Sequence, residues 1–440
     1  MIDFTTISNA CVKCGKCIPY CTIYRIHREE VTSPRGYLDL VGAYARGDLT
    51  IDNLTKDFFE SCFLCTTCVE VCPSHLGIDE AIEKIRIDIA KQYGIKWYKK
   101  LYFFLLKHRK LMDIVFSMVA FIAPCAFKTT SNGSKIPLSK RVVFPFRRQS
   151  FLAKYKGEIA SSVPKRQNLT HNKVAIFIGC LANYNYMGVG ESLLVILDRL
   201  GIDVLIPKQE CCGAPAFFTG DIATVLTLIK RNIEYFEHFI DKVDAILIPE
   251  ATCAAMLMKD WANALRNDKD GDIYLKRLAK ITPKMAMASH WLYHHTDLEI
   301  LLDSSGGATR STLDCSSQNL APSKERTITY HDPCHAKKVL KIYKEPRALL
   351  RKGYHIVEMS EADRCCGFGG VSMQSDRYHL TLKAGAPKAQ MIGATNASIV
   401  SAECSACRMQ ITNALAQDNI QVQFAHPLEL IAKSFQEQNQ

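Results

Sequence analysis

No apolar run in this 440-residue chain is both long and uninterrupted. The longest candidate, Leu111 to Phe127, contains Asp113 and Pro124. As a helix, those residues would reach roughly 25 Å, short of the ~30 Å hydrocarbon core of a bilayer. The opening MIDFTTISNACVKC lacks the basic start and apolar run of a secretory signal, so export to an oxidising compartment is not expected. A dinucleotide fingerprint is missing too. Gly367-Phe-Gly-Gly370 has the wrong order of glycines and no following pattern, so hydride chemistry is expected on another chain. Acid is scarce in one place: between Lys96 and Arg148 stand twelve basic residues and a single acid, Asp113. The whole net charge of +11 therefore sits in that stretch, and the remainder is balanced. Nucleic-acid binders carry their basic face on a folded domain, so no nucleic-acid partner is expected.

What is abundant is cysteine. The 48% hydrophobic and 22% charged content is that of a globular chain, which excludes disorder and a polytopic membrane protein. Nineteen cysteines in a chain expected to keep its thiols reduced mean metal or redox chemistry.

Eight of them form two copies of one motif, Cys11-x2-Cys14-x2-Cys17-x3-Cys21 and Cys62-x2-Cys65-x2-Cys68-x3-Cys72-Pro73. Three thiolates at this spacing wrap one face of a cube, and the fourth points away to ligate the other cube. Cys11, Cys14, Cys17 and Cys72 are expected to hold one [4Fe–4S] cluster, and Cys62, Cys65, Cys68 and Cys21 a second. Zinc sites normally use separated cysteine pairs or Cys/His sets, so iron–sulfur fits better. One departure is Thr22, where a proline would follow Cys21. Helical patterns such as GYLDLVGAYARG fill the space between the motifs, and the region resembles the helical ferredoxin domain of succinate dehydrogenase iron–sulfur subunits.

The rest of the chain repeats itself at a fixed offset. Cys180, Cys211, Cys212, Gly213 and Cys253 have counterparts 154 residues later, at Cys334, Cys365, Cys366, Gly367 and Cys407. Buried-strand patterns (VAIFIGC, TITYHDPC, AILIPEATC, ASIVSAECSAC) end at the cysteines, and helical patterns such as SLLVILDRLG and PRALLRKG follow. Two α/β units with cysteines at strand ends are expected. The pattern resembles the cysteine-rich CCG domain of heterodisulfide reductase subunits. That resemblance implies a non-cubane [4Fe–4S] cluster where the motif is complete, as it is at Cys334, Cys365, Cys366, Cys404 and Cys407. In the first unit Glu250 stands at the position matching Cys404. The remaining Cys180, Cys211, Cys212 and Cys253 are compatible with a cluster, a zinc ion or nothing. His331 and His335 flank Cys334 as candidates for support or for packing; Cys125 and Cys315 read as ordinary thiols.

The basic stretch mixes lysines with apolar residues and reads as an amphipathic connector. It either packs on the protein's own domains or, as we favour here, lies in a membrane interface. In the second case Trp97, Tyr98 and Tyr102 are anchors, Phe103, Phe104, Leu106, Phe116 and Phe121 the apolar face, and Lys99, Lys100, Lys107, Arg109 and Lys110 meet anionic lipid.

The sequence thus reads as an α+β multidomain chain. Its parts are a helical ferredoxin domain (1–95), a basic connector (96–172), a first CCG domain (173–302), a linker (303–326) and a second CCG domain (327–440). This order resembles the iron–sulfur subunits of glycolate oxidase and of anaerobic glycerol-3-phosphate dehydrogenase, and SPRGYLDL favours the former. The resemblance implies an electron-transfer subunit working with an FAD-containing dehydrogenase and a quinone, peripheral to the cytoplasmic face of the inner membrane. A thiol–disulfide reductase and a scaffold with structural clusters are the alternatives.

Overall fold

The computed structural model describes residues 2–129, 132–137, 139–163, 173–303 and 326–436. Cys315 and most of the expected linker lie outside the described residues.

Among the described residues, the first 95 form helices and turns without a strand. Pro34–Arg46 begins where the Ser33 hydroxyl accepts the Gly36 N–H, with Pro34 at the first helical position, and ends at Gly47 in a left-handed conformation. Ile78–Tyr93 places Ile78, Ile82, Ile85 and Ile89 along one face. That face closes on Phe4, Tyr37, Leu38, Val41 and Phe59, giving the helical unit a small core of its own.

Two parallel sheets follow. The first has the order β4-β6-β5-β7-β8 (Gly157–Ile159, Asp203–Ile206, Lys173–Ile176, Ala245–Ile248, Met285–Met287), with only the edge strand β4 antiparallel. β4 lies within the connector sequence yet completes this sheet. The second has the order β10-β9-β11-β12 (His355–Ile356, Thr327–Tyr330, Ile399–Ser401, Gln423–Ala425) and is wholly parallel. Apart from β4, each sheet runs second, first, third, fourth strand of its own unit. In such doubly wound sheets the strand order reverses between the first and third strands, and sites form there at the carboxyl ends. β7, AILI, is buried along its whole length, as strands covered on both faces are.

The connector folds as two helices, Trp97–Lys107 and Arg109–Ala126, broken at His108, and then a small antiparallel sheet, β1-β2-β3 (Lys128–Thr129, Ser134–Lys135, Val142–Val143). Its amphipathic reading needs correction. Phe103, Leu106 and Met112 are buried in the core that the α/β units build, and Phe116 packs at a tilt against Tyr184, ring centres 4.7 Å apart. Lys99 is buried and bonds Asp376 (2.6 Å) and Ser372 Oγ (2.8 Å) of the second unit. Arg109 is mostly covered, lying over Tyr184 near Glu210. Neither cation is available to lipid, because each partners a group far away in sequence. Trp97, Leu101, Phe104, Leu111, Ile114, Met118, Phe121 and Ile122 remain exposed. Among the described residues, no helix is long and apolar enough to cross a membrane.

Candidate functional site

The N-terminal thiols line two separate cavities. One is walled by Cys11, Cys14, Cys17 and Cys72, the other by Cys21, Cys62, Cys65 and Cys68. The fourth cysteine of each motif has crossed to the other set, as the spacing demands. Left-handed backbone at Lys13, Leu64 and Thr66 turns the chain between cysteines, and the Leu64 N–H reaches Cys62 Sγ at 3.4 Å. Burial pushes the Cys62 thiol up to about 11 and the Cys21 thiol up to about 12. A buried thiol of that kind ionises only where a cation compensates it, and a bound metal does so outright. Tyr37 Oη and Thr66 Oγ1, both lining the second cavity, are buried without a hydrogen-bond partner. An all-thiol donor set, an apolar wall and orphaned polar atoms fit an iron–sulfur group. Arg86 supports this wall from beneath: its guanidinium donates to the carbonyls of Phe59, Glu60 and Cys62, and to Phe218 of the first α/β unit.

The second α/β unit gathers Cys334, Cys365, Cys366, Cys404 and Cys407 at the carboxyl ends of β9, β10 and β11, each at most 8% exposed. Cys366 and Cys407 Sγ atoms stand 3.5 Å apart, and Cys404 caps the helix Ser405–Gln417 by accepting the Cys407 N–H. Gly367 has φ +88°, and a Cβ there would lie 2.8 Å from that of Ala384. Only glycine lets the paired cysteines turn inward at this point. His331 places its Nδ1 3.0 Å from the Ala362 carbonyl and leaves Nε2 buried and unpartnered, close to Cys366 and Cys407. His335 stacks on Phe218 and contacts Thr252, so it seals the seam between the units. Two lysines were not singled out from the sequence. Lys338 lies against Cys334, Cys365 and Cys65, and is held by the Asp363 carbonyl and the Thr67 hydroxyl. Lys388 is held by the Glu361 and Ala362 carbonyls, and burial brings it down to about 8. The helical turn after Cys334 was the only local signal for Lys338.

The helical unit docks directly on this site. Cys65 packs against the buried cluster that holds Cys334 and Cys365. Ile23 and Phe63 pack with Met373 and Leu380 around them. The rim is charged: Arg25 pairs with Glu361 (2.8 Å), and Arg377 with Asp57 (2.7 Å) and Glu60 (2.8 Å).

In the first α/β unit, Cys211, Cys212 and Cys253 share one buried cluster, with Cys180 packed against it, at the ends of β5, β6 and β7. Trp261 Nε1 and Asn232 Nδ2 hold the Cys212 and Cys211 carbonyls. Tyr102 and Arg109, from the connector, cover these thiols, a contact the sequence did not disclose. Glu250 does not replace the missing cysteine. Its buried carboxylate accepts the N–H and hydroxyl of Ser405, at the start of the opposite unit's helix.

Comparison with known proteins agrees with this geometry. Residues 7–76 match a 4Fe-4S dicluster domain, and residues 174–258 and 328–412 each match a cysteine-rich domain. The chain is 26% identical to the probable glycolate oxidase iron-sulfur subunit of Bacillus subtilis, over 96% of this chain and 93% of that protein. It is 25% identical to a subunit of the fumarate reductase (CoM/CoB) of Methanothermobacter marburgensis, over 97% of this chain and 72% of that protein. Lactate utilization protein A of Geobacillus thermodenitrificans is 30% identical over 45% of this chain and 73% of its own length. With one dicluster domain, two cysteine-rich domains and thiols gathered where those domains carry them, the chain belongs to the family of glycolate-oxidase-type iron–sulfur subunits of oxidoreductases.

Proposed function

We propose that this chain is the electron-transfer subunit of an FAD-linked 2-hydroxy-acid dehydrogenase of the glycolate or lactate type, linking a separate flavoprotein to a quinone. The observation that carries this reading is the packing of Cys65 and Cys21 against the buried cluster of Cys334 and Cys365, which joins the dicluster domain directly to the second cysteine-rich domain. The glycolate oxidase and lactate utilization relatives support the substrate class. Cys11, Cys14, Cys17 and Cys72 would hold one [4Fe–4S] cluster, Cys21, Cys62, Cys65 and Cys68 another, and the five thiols of the second unit a third, non-cubane one. When bound, such clusters supply one-electron redox chemistry. The chain's own residues shut out water around Cys334, Cys365 and Cys366, and place Lys338 and Lys388 as positive charge beside them. Cys14 is exposed and marks the face open to a partner. Lys100, Lys110, Lys128, Arg147 and Arg148, with the apolar residues exposed on Arg109–Ala126, would meet an anionic membrane surface.

The rival reading, a thiol–disulfide reductase, draws on the complete five-thiol set and on the fumarate reductase (CoM/CoB) relative. The burial of all five thiols favours the electron-transfer reading, because a disulfide substrate has no open approach to them. Purified protein combined with an FAD partner separates the two. Dye or quinone reduction should require both chains and be lost in Cys65→Ser; disulfide reduction by this chain alone would overturn the proposal.

A further inference from the structure

Away from every cysteine, the helix Ala288–His295 carries His290 and His294 one turn apart, on the same face. Facing them is Glu345, at the start of the helix Glu345–Arg351 in the second α/β unit. Glu345 Oε1 lies 2.9 Å from His290 Nδ1 and 3.3 Å from His294 Nε2. All three donor atoms fall within 4.8 Å of one another. The other carboxylate oxygen, Oε2, is buried and has no hydrogen-bond partner. The arginines of its own helix are engaged elsewhere, Arg347 with Asp332 and Glu358, and Arg351 with Glu358. Among the described residues, the ion-pair partners of Glu345 are the two imidazoles.

We propose that His290, His294 and Glu345 form a zinc-class divalent metal site, separate from the cysteine centres, that clamps the two α/β units to each other. Two imidazoles one helical turn apart with a carboxylate from another element are a donor set zinc accepts. Donors about 2.0–2.1 Å from a tetrahedral zinc stand roughly 3.3 Å apart. The two separations from Glu345 lie at and just below that value, so a small rotation of the imidazoles admits the ion. A bound dication would also neutralise the buried oxygen that now lacks a partner. The helices beneath are fixed by burial: Trp291 and Leu292 share one core with Leu349 and Leu350. The imidazoles are 40% and 45% exposed, so ions enter from solvent and a fourth position stays open to water.

The test uses the full-length, cluster-loaded protein, dialysed anaerobically against buffer at fixed free zinc, with bound zinc and iron counted together. One zinc per chain is expected above the iron complement, with only nitrogen and oxygen in its first shell by zinc X-ray absorption. His294→Ala and Glu345→Gln should each weaken zinc binding by at least about 10- to 100-fold, a range that loss of outer-shell partners alone can reach, while iron content holds. Zinc should raise the melting temperature of the parent and not of Glu345→Gln, since a ligand bound only to the folded state stabilises it. Zinc found with sulfur ligands only, no zinc uptake, or equal uptake by parent and variants would each overturn the site.

Discussion

Lys99 offers the sharpest test of how the basic connector is used. Its side chain is 5% exposed, and its ammonium sits 2.6 Å from Asp376 and 2.8 Å from Ser372 Oγ. Lys99→Met keeps the stem and removes the charge, leaving the Asp376 carboxylate, 11% exposed, with Tyr98 and the exposed Lys96 at 3.2 Å. Removing one partner of a buried pair typically costs about 3–5 kcal/mol. Because Asp376 retains two partners here, we place this case at about 3 kcal/mol, at the lower end of that range. For a cooperative unit of 150–250 residues that is roughly 6–12 °C in melting temperature. Lys100→Met, one residue on and exposed, is the control, with an effect within about 0.5 kcal/mol. Anaerobic thermal melts at one scan rate, followed through the visible absorbance of the loaded protein, compare the two. Equal melting temperatures for both variants would show that Lys99 hydrates like any surface lysine, and the packing argument for the connector would fail.

Arg86→Lys should shed about four irons of roughly eight held by the N-terminal thiols, because an ammonium cannot serve the four carbonyls the guanidinium spans; full iron retention would reduce Arg86 to a space filler. Burial pushes Asp376 up, but the bonds from Lys99 and Tyr98 outweigh it and bring the carboxyl down to about 2, below the ~3.9 of an unfolded aspartate. Its stabilisation is therefore complete above about pH 4 and is lost as pH falls towards 2, so Lys99→Met should flatten the acid limb of the stability curve in that window; parallel limbs contradict the pairing. Gln replacements at Lys100, Lys110 and Lys128 should weaken binding to anionic vesicles at low salt, and Ser replacements at Ile114, Met118 and Phe121 should remove the salt-resistant part. Unaltered sedimentation in both sets would assign the exposed stripe to a protein partner instead.

The cysteine centres were legible because their information is local or periodic. Spacing alone sends Cys21 and Cys72 to opposite cavities, and a constant offset pairs Cys180 with Cys334 before any sheet is drawn. The sheets followed from buried apolar strands that end at those cysteines. The connector was not legible, since Phe103 and Leu111 look alike in composition. The break at His108 lets the first helix bury Phe103 while the second exposes Leu111. Lys99, Arg109 and Lys338 were misread or overlooked for a related reason: the groups they serve lie in distant segments, and only the fold brings those together. The same holds for Glu345, whose imidazole partners stand on the far side of the linker.

Glu250 makes the two repeats unequal in a way that is hard to undo. Its carboxylate satisfies the first free N–H of the helix that carries Cys407, a donor that would otherwise be buried without an acceptor. A cysteine at 250 would give the first repeat its fifth thiol and, in the same step, strip the Ser405 N–H of its acceptor at the start of the helix supporting the site of the second. The two halves therefore share one polar contact that neither can lose alone. A full thiol set in the first repeat calls for a new acceptor near Ser405, so a change at one site is felt at the start of the helix beneath the other.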